Sequence, residues 1–170
     1  MGIRYYAYAF DADVTDQVLA DPRRFLSADP LADAWGLESV GEFTLATFEQ
    51  AVPEREMLYL DKAWRQLQAF TAPSKNGEEP RPAFRMFEGH VTMHHDGWEP
   101  WVRVLLPSEV PAIAKDLGDL PDAELGRWLQ TFMRFGGDPA IDYVVGYLQK
   151  ARVFVNDLAA AGRGFVYLIG

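Results

Sequence analysis

The chain contains no cysteine. Disulfides, thiolate nucleophiles and Cys-ligated zinc or iron–sulfur centres are therefore excluded, and nothing points to an oxidising compartment. Long apolar runs are missing too: no stretch approaches the roughly 20 residues needed to cross a bilayer. The start, Met1-Gly2-Ile3-Arg4-Tyr5-Tyr6, lacks the basic region and apolar stretch of a secretory leader, and Tyr6 stands where a myristoylation pattern needs Ser or Thr. The expectation is a cytoplasmic protein that does not engage a membrane. Positive charge is also in short supply, with 16 Lys and Arg against 25 Asp and Glu and a net charge of −9. Phosphate-backbone binding draws on clustered basic residues, so nucleic acid is not an expected partner. An acidic surface can steer a basic protein or a cationic ligand, although it also serves solubility alone. Finally, there is no G-x-G-x-x-G, phosphate loop, nucleophile elbow or H-E-x-x-H, and no cofactor is implied.

What is present suits one α+β domain of 170 residues, without internal repeat, heptad run or domain-sized linker. Residues 4–10 alternate, with Tyr6, Tyr8 and Phe10 on one face and Tyr5 on the other, which predicts a first strand. Asp11 and Asp13 offer caps for a short helix over 14–20, ended at Asp21-Pro22. Residues 23–41 read as loops and short helical turns, and 42–52 suit strand or helix equally. Met57-Leu58-Tyr59-Leu60 is an apolar run that meets Asp61, a candidate cap for a helix over 62–71 with Trp64, Leu67 and Phe70 inward. Residues 73–80 combine turn formers with no apolar anchor and predict a flexible insertion.

Further on, 101–106 reads as a strand. Ser108 can cap a helix through Leu117 whose inner stripe is Val110, Ile113, Ala114 and Leu117, with Pro111 tolerated in the first turn. A helix over 121–135 places Leu125, Trp128, Leu129 and Phe132 at helical spacing, and Gly136-Gly137 ends it. Asp138-Pro139 opens a long helix to about residue 160. Ile141, Val144, Val145, Leu148, Val155 and Leu158 form one stripe; Tyr143, Tyr147 and Phe154 form a second. Residues 164–169 are a continuous apolar run suited to the interior of a sheet. The expected architecture is a small mixed sheet holding the N- and C-terminal strands, covered by helices beginning near 62 and 139, with Trp64 and Tyr147 buried.

Three segments carry a family likeness in order: Leu60-Asp61-Lys62-Ala63-Trp64; then Val104-Leu105-Leu106-Pro107-Ser108-Glu109-Val110 with Ala112-Ile113-Ala114; then Tyr147-Leu148 through Ala159-Ala160-Ala161-Gly162 to Phe165-Val166-Tyr167-Leu168-Ile169. Together they resemble the YfbM-like family, small bacterial proteins of unknown function. The resemblance implies a fold but no reaction. Members often carry histidine further along the helix after the Asp-Lys-x-Trp start, whereas Arg65 and Gln68 stand at the corresponding positions here, so a role built on an imidazole there fails for this chain. The stretch 72–98 departs from the family pattern.

Candidate sites follow from residue chemistry. Asp61, Lys62, Trp64 and Arg65 could form a polar site at a helix start, where exposed amides favour anions. The competing reading is a cap, a lysine stem covering the core and a core tryptophan, and it is favoured. Trp98 and Trp101, flanking Glu99-Pro100, suit a binding groove or the packing of a loop onto the core. His90, His94, His95 and Asp96, beside Glu88, offer imidazole and carboxylate donors for a divalent metal; in an extended segment His90, His94 and Asp96 would share a face. The expected function is a non-catalytic cytoplasmic binding or regulatory protein whose partner is another protein, an immunity-like role being one version. The alternative is a small metal-dependent hydrolase using the 88–96 segment.

Overall fold

The structure is a computed structural model that describes residues 2–74, 77–132 and 138–170, with backbone alone at Phe132, Asp138 and Pro139. In chain order its strands and α-helices are β1 (Tyr5–Phe10), α1 (Thr15–Ala20), α2 (Pro30–Trp35), β2 (Leu37–Val40), β3 (Phe43–Ala46), β4 (Met57–Asp61) and α3 (Trp64–Thr71). They continue as β5 (Thr92–His94), β6 (Gly97–Glu99), β7 (Trp101–Leu105), α4 (Val110–Gly118), α5 (Asp122–Phe132), α6 (Asp138–Ala161) and β8 (Gly164–Ile169). The class is α+β, as the sequence predicts.

The two terminal strands, the richest in aromatic and β-branched residues, pair along their whole length, from Tyr5 opposite Ile169 to Phe10 opposite Gly164. The sheet runs β4-β1-β8-β7 and every pairing is antiparallel. The mixed sheet expected from the sequence is corrected here, because no crossover joins parallel neighbours. β8 is interior, which accounts for its unbroken apolar run: Phe165, Tyr167 and Ile169 join one core, and Val166 joins Phe10 and Val18 on the other face. Where β8 begins, backbones crowd. A Cβ on Gly164 would lie 2.4 Å from the Phe10 ring and 2.6 Å from the Leu105 carbonyl oxygen, so only glycine lets β8 enter between β1 and β7.

Helices α3 to α6 cover the first face. Trp64 and Leu67 of α3, Val110, Ile113, Ala114 and Leu117 of α4, and Leu125 and Leu129 of α5 are all buried, as their periodicity predicts. Phe70 is only partly buried and tilts against Trp128 at 5.5 Å. Along α6 the first stripe holds, with Val144, Leu148, Val155 and Leu158 buried and Ile141 and Val145 partly so. The second grades outward from buried Phe154 through partly buried Tyr147 to exposed Tyr143. Tyr147, expected to be buried, reaches the border between two core clusters.

Local starts differ from the sequence reading at α1 and α4. Residues 12–14 form a 3-10 turn before α1, and neither Asp11 nor Asp13 caps it through its side chain. The turn before α4 is organised by Glu109 rather than Ser108: its carboxylate accepts from Leu106 N at 2.9 Å and pairs with Arg85 at 2.7 Å. The expected end of α5 at Phe135 and Gly136-Gly137, the Phe132 side chain and the Asp138 cap lie outside the described residues. Of the 73–80 loop, Lys75 and Asn76 do so as well; Pro73, Ser74 and residues 77–80 are exposed and neither helical nor extended. Among the described residues no helix is long and apolar enough to cross a membrane.

Candidate functional site

Asp61 closes β4 with a φ of +47°, a left-handed backbone that Asp tolerates better than most residues. The turn holds because three donors, two of them distant in sequence, converge on its carboxylate. Arg4 Nε donates to Oδ1 at 2.8 Å, the Tyr59 hydroxyl to Oδ1 at 2.9 Å and the Tyr143 hydroxyl to Oδ2 at 2.7 Å. Tyr143 in turn accepts from the Lys62 amide at 3.3 Å, and Trp35 Nε1 donates to the Tyr59 oxygen at 3.1 Å. Asp61 is thus an acceptor in a network and not the cap of α3, whose first residue is Trp64 and whose capping position, Ala63, offers no side-chain bond. That corrects the sequence reading.

Aromatic rings wall this network. The Arg4 guanidinium lies 5.1 Å from the Trp35 ring, Tyr6 stacks on Tyr59 at 5.4 Å, and Tyr147 meets Tyr59 and Tyr143 edge-on at 6.3 and 4.9 Å. Burial first, and then hydrogen bonding to Asp61, push Tyr59 and Tyr143 well above the ordinary phenol range; burial and the Asp61 charge push Tyr147 up to about 12. Tyr59 and Tyr143 are thus held protonated as donors, and both Asp61 oxygens are engaged.

Replacing Asp61 with Ala should cost about 2–4 kcal/mol in urea unfolding. It strands Arg4, only 12% exposed, and adds a Cβ-bearing residue without local hydrogen bonds at positive φ. Asp61→Gly, which relieves the backbone, should cost about 1 kcal/mol less. A loss below about 0.5 kcal/mol for Ala would show that the network contributes nothing.

Trp35 links this cluster to a projecting hairpin. Asp29 caps α2 by accepting from Ala32 N at 3.0 Å, and Gly36 ends it at a φ of +57°, turning the chain into β2. β2 and β3 pair from Leu37 opposite Ala46 to Val40 opposite Phe43 around Gly41-Glu42. Cross-strand partners share a face, so Glu38, Val40, Phe43 and Leu45 project together. Val40 is 54% exposed, Phe43 74%, Leu45 56% and Phe48 73%. Phe48 leans on Trp35 with ring centres 5.4 Å apart, joining the hairpin to the Asp61 network.

Between residues 25 and 54 there is no Lys, Arg or His, but there are six carboxylates. Asp29 caps α2, and Asp33 accepts from the Tyr8 hydroxyl at 2.9 Å. Glu38, Glu42, Glu49 and Glu54 are exposed and make no ion pair among the described residues. The segment is apolar at the hairpin tip, and its charges from 25 to 54 are all negative.

The residues singled out from the sequence are divided among three places. Asp61 belongs to the network and Lys62 beside it is exposed. Trp64 is a core residue, 5% exposed, and Arg65 lies over its ring at 5.6 Å; both border an open cavity of about 400 Å³ with His90 and Met93. Trp98, 43% exposed, pairs across β5 and β6 with Met93, whereas Trp101 on β7 packs beside His90 at 5.2 Å. His90, His94, His95 and Asp96 are exposed. His94 comes no nearer than 3.9 Å to Glu99, and Glu88 pairs with Arg103 at 2.6 Å instead. The extended face expected for His90, His94 and Asp96 is broken by the turn at His95-Asp96. Among the described residues no three His, Asp or Glu side chains are placed to hold a metal.

Sequence reasoning missed Arg4, Trp35, Tyr59, Tyr143 and the whole 37–46 hairpin as site components. A signal for the hairpin was present: apolar residues alternate through Phe43, Leu45 and Val40 about a Gly41-Glu42 turn.

No protein-family model and no curated protein matches the chain. Among solved structures it is similar to YfbM from Escherichia coli, a protein of unknown function. The likeness covers 99% of this chain and 100% of that one, at a TM-score of 0.56 and 16% sequence identity. The fold that the sequence resemblance implies is therefore the fold the chain has: α+β, similar over its whole length to that of YfbM.

Proposed function

We propose that this chain is a cytoplasmic, non-catalytic protein that binds another protein through the β2–β3 hairpin and the Trp35–Asp61 network behind it. The observation that carries this reading is the group of exposed Val40, Phe43 and Leu45 on one face of a short hairpin, with exposed Phe48 just after it and carboxylates around them that make no ion pair among the described residues. Isolated apolar residues on a surface need no explanation, but contiguous ones with a polar rim mark interaction sites. Behind them stand Trp, Tyr and Arg side chains, the residue types that dominate interface energetics. The protonated phenols and the fully engaged Asp61 support recognition over reaction. Neutralising or escorting the partner, as an immunity protein does its toxin, is the role such a face serves best.

A photo-crosslinking residue placed at Phe43 or Phe48 in living cells should yield one discrete protein adduct, and the same residue at exposed Gln130 of α5 should not. Identical adduct patterns from all three positions would defeat the proposal.

A further inference from the structure

Between the 47–56 segment, β4 and α6 lies a cavity of about 110 Å³ with an apolar wall of Met57, Leu58, Tyr59, Val153 and Phe154 and a polar rim of Gln50, Glu54, Gln149 and Lys150. Its apolar lining opens at Val153, which is 55% exposed. An apolar cavity of roughly 150 Å³ holds benzene, so this one suits a branched or thioether aliphatic side chain. At the neighbouring edge of β4, one acceptor is already engaged. Gln50 Nε2 donates to the Met57 carbonyl at 3.1 Å and to the Val52 carbonyl at 2.7 Å, occupying an acceptor that an added strand would need.

Resting on the binding role proposed above, we infer that the occupant of this face is a basic protein segment that anchors one leucine- or methionine-sized side chain in the Met57–Phe154 cavity. Charge decides the class of partner. Glu54 lines the cavity, Glu38, Glu42 and Glu49 stand on the hairpin and the segment after it, all four are exposed and make no ion pair among the described residues, and residues 25–54 supply no positive charge to answer them. Lys150, the cation at the cavity rim, already lies over the Tyr147 ring at 5.6 Å. A second copy of this chain would bring the same negative surface against itself and is disfavoured.

The test uses the full chain, immobilised and selected against displayed random 12-residue peptides. Enriched peptides should be net positive and share one Leu, Met or Ile. A synthetic version of one should lose at least about tenfold in affinity on Val153→Trp, which fills the cavity mouth, and on the combined Glu38→Gln, Glu42→Gln, Glu49→Gln change. Affinity should also fall as salt rises. Gln149→Trp serves in place of Val153→Trp should the latter lower the urea midpoint. No enrichment, enrichment of acidic or uncharged peptides, or unchanged affinity with the cavity filled would each overturn the inference. So would a dimer in sedimentation that Phe43→Ser dissolves, because the occupant would then be a second copy. These outcomes are separable from failure of the binding role: a Phe43 adduct that persists on a partner lacking basic character sinks the partner class alone, whereas absence of any specific adduct sinks both.

Discussion

Trp64→Ala should lower stability by about 3–5 kcal/mol and shift the urea midpoint accordingly. The indole is 5% exposed within the core formed by β1, β4, β8 and helices α3 to α6, and its Nε1 reaches the Ile3 carbonyl at 3.5 Å, the outer limit of a hydrogen bond. Most of the cost therefore comes from the cavity left behind, and little from the lost donor. A midpoint that stays in place would mean that the tryptophan is not a core residue and that the Asp61-Lys62-Trp64 segment must be re-read as a binding surface.

Raising the pH should unfold the chain steeply. All seven tyrosines have their ionisation pushed above the ordinary phenol value of about 10, burial being the largest cause at each, and Tyr147 stands at about 12. A raised folded value means that the stabilisation is fully present below pH 10. Above that, phenols in the unfolded chain release protons that the folded chain retains, so stability falls as pH climbs through the folded values. Each such tyrosine removes about 1.4 kcal/mol per pH unit. Tyr5 and Tyr167, both 0% exposed and stacked at 5.1 Å, together remove about 3 kcal/mol per unit. Tyrosinate absorbance should lag until about pH 11 and then rise together with the loss of the far-UV helix signal. Gradual absorbance beginning near pH 10 with the helix signal intact would show that the phenols are open to solvent.

Residues whose roles are set by near neighbours were readable from sequence. The stripe of α4, the alternation in β1 and the apolar run of β8 each repeat with the period of the structure they form, and each meets the core as expected. Asp61 was not. An Asp ahead of an amphipathic helix is the local signature of a cap, yet its carboxylate is held by Arg4 and Tyr143, 57 and 82 residues away in sequence. Nothing in the neighbouring residues encodes such partners. The hairpin of β2 and β3 escaped for the opposite reason, since its strands are four residues each and its apolar residues face outward, contrary to the rule that apolar alternation marks a buried face. The 88–96 segment drew notice because three histidines fall within six residues, but a tight hairpin separates its donors. Antiparallel order in the main sheet was likewise invisible, because strand direction depends on the path of the connections and not on the strands themselves.

If the hairpin's apolar side chains exist for a partner, removing them should leave the fold unharmed. The combined Val40→Ser, Phe43→Ser, Leu45→Ser variant, carrying the photo-crosslinking residue at position 48, tests this with two readouts on one protein. The account predicts stability within about 0.5 kcal/mol of the parent, as for exposed positions generally, together with loss of the specific adduct. Destabilisation by more than about 2 kcal/mol would show that these residues serve the core of this chain, and an undiminished adduct would show that the partner binds elsewhere.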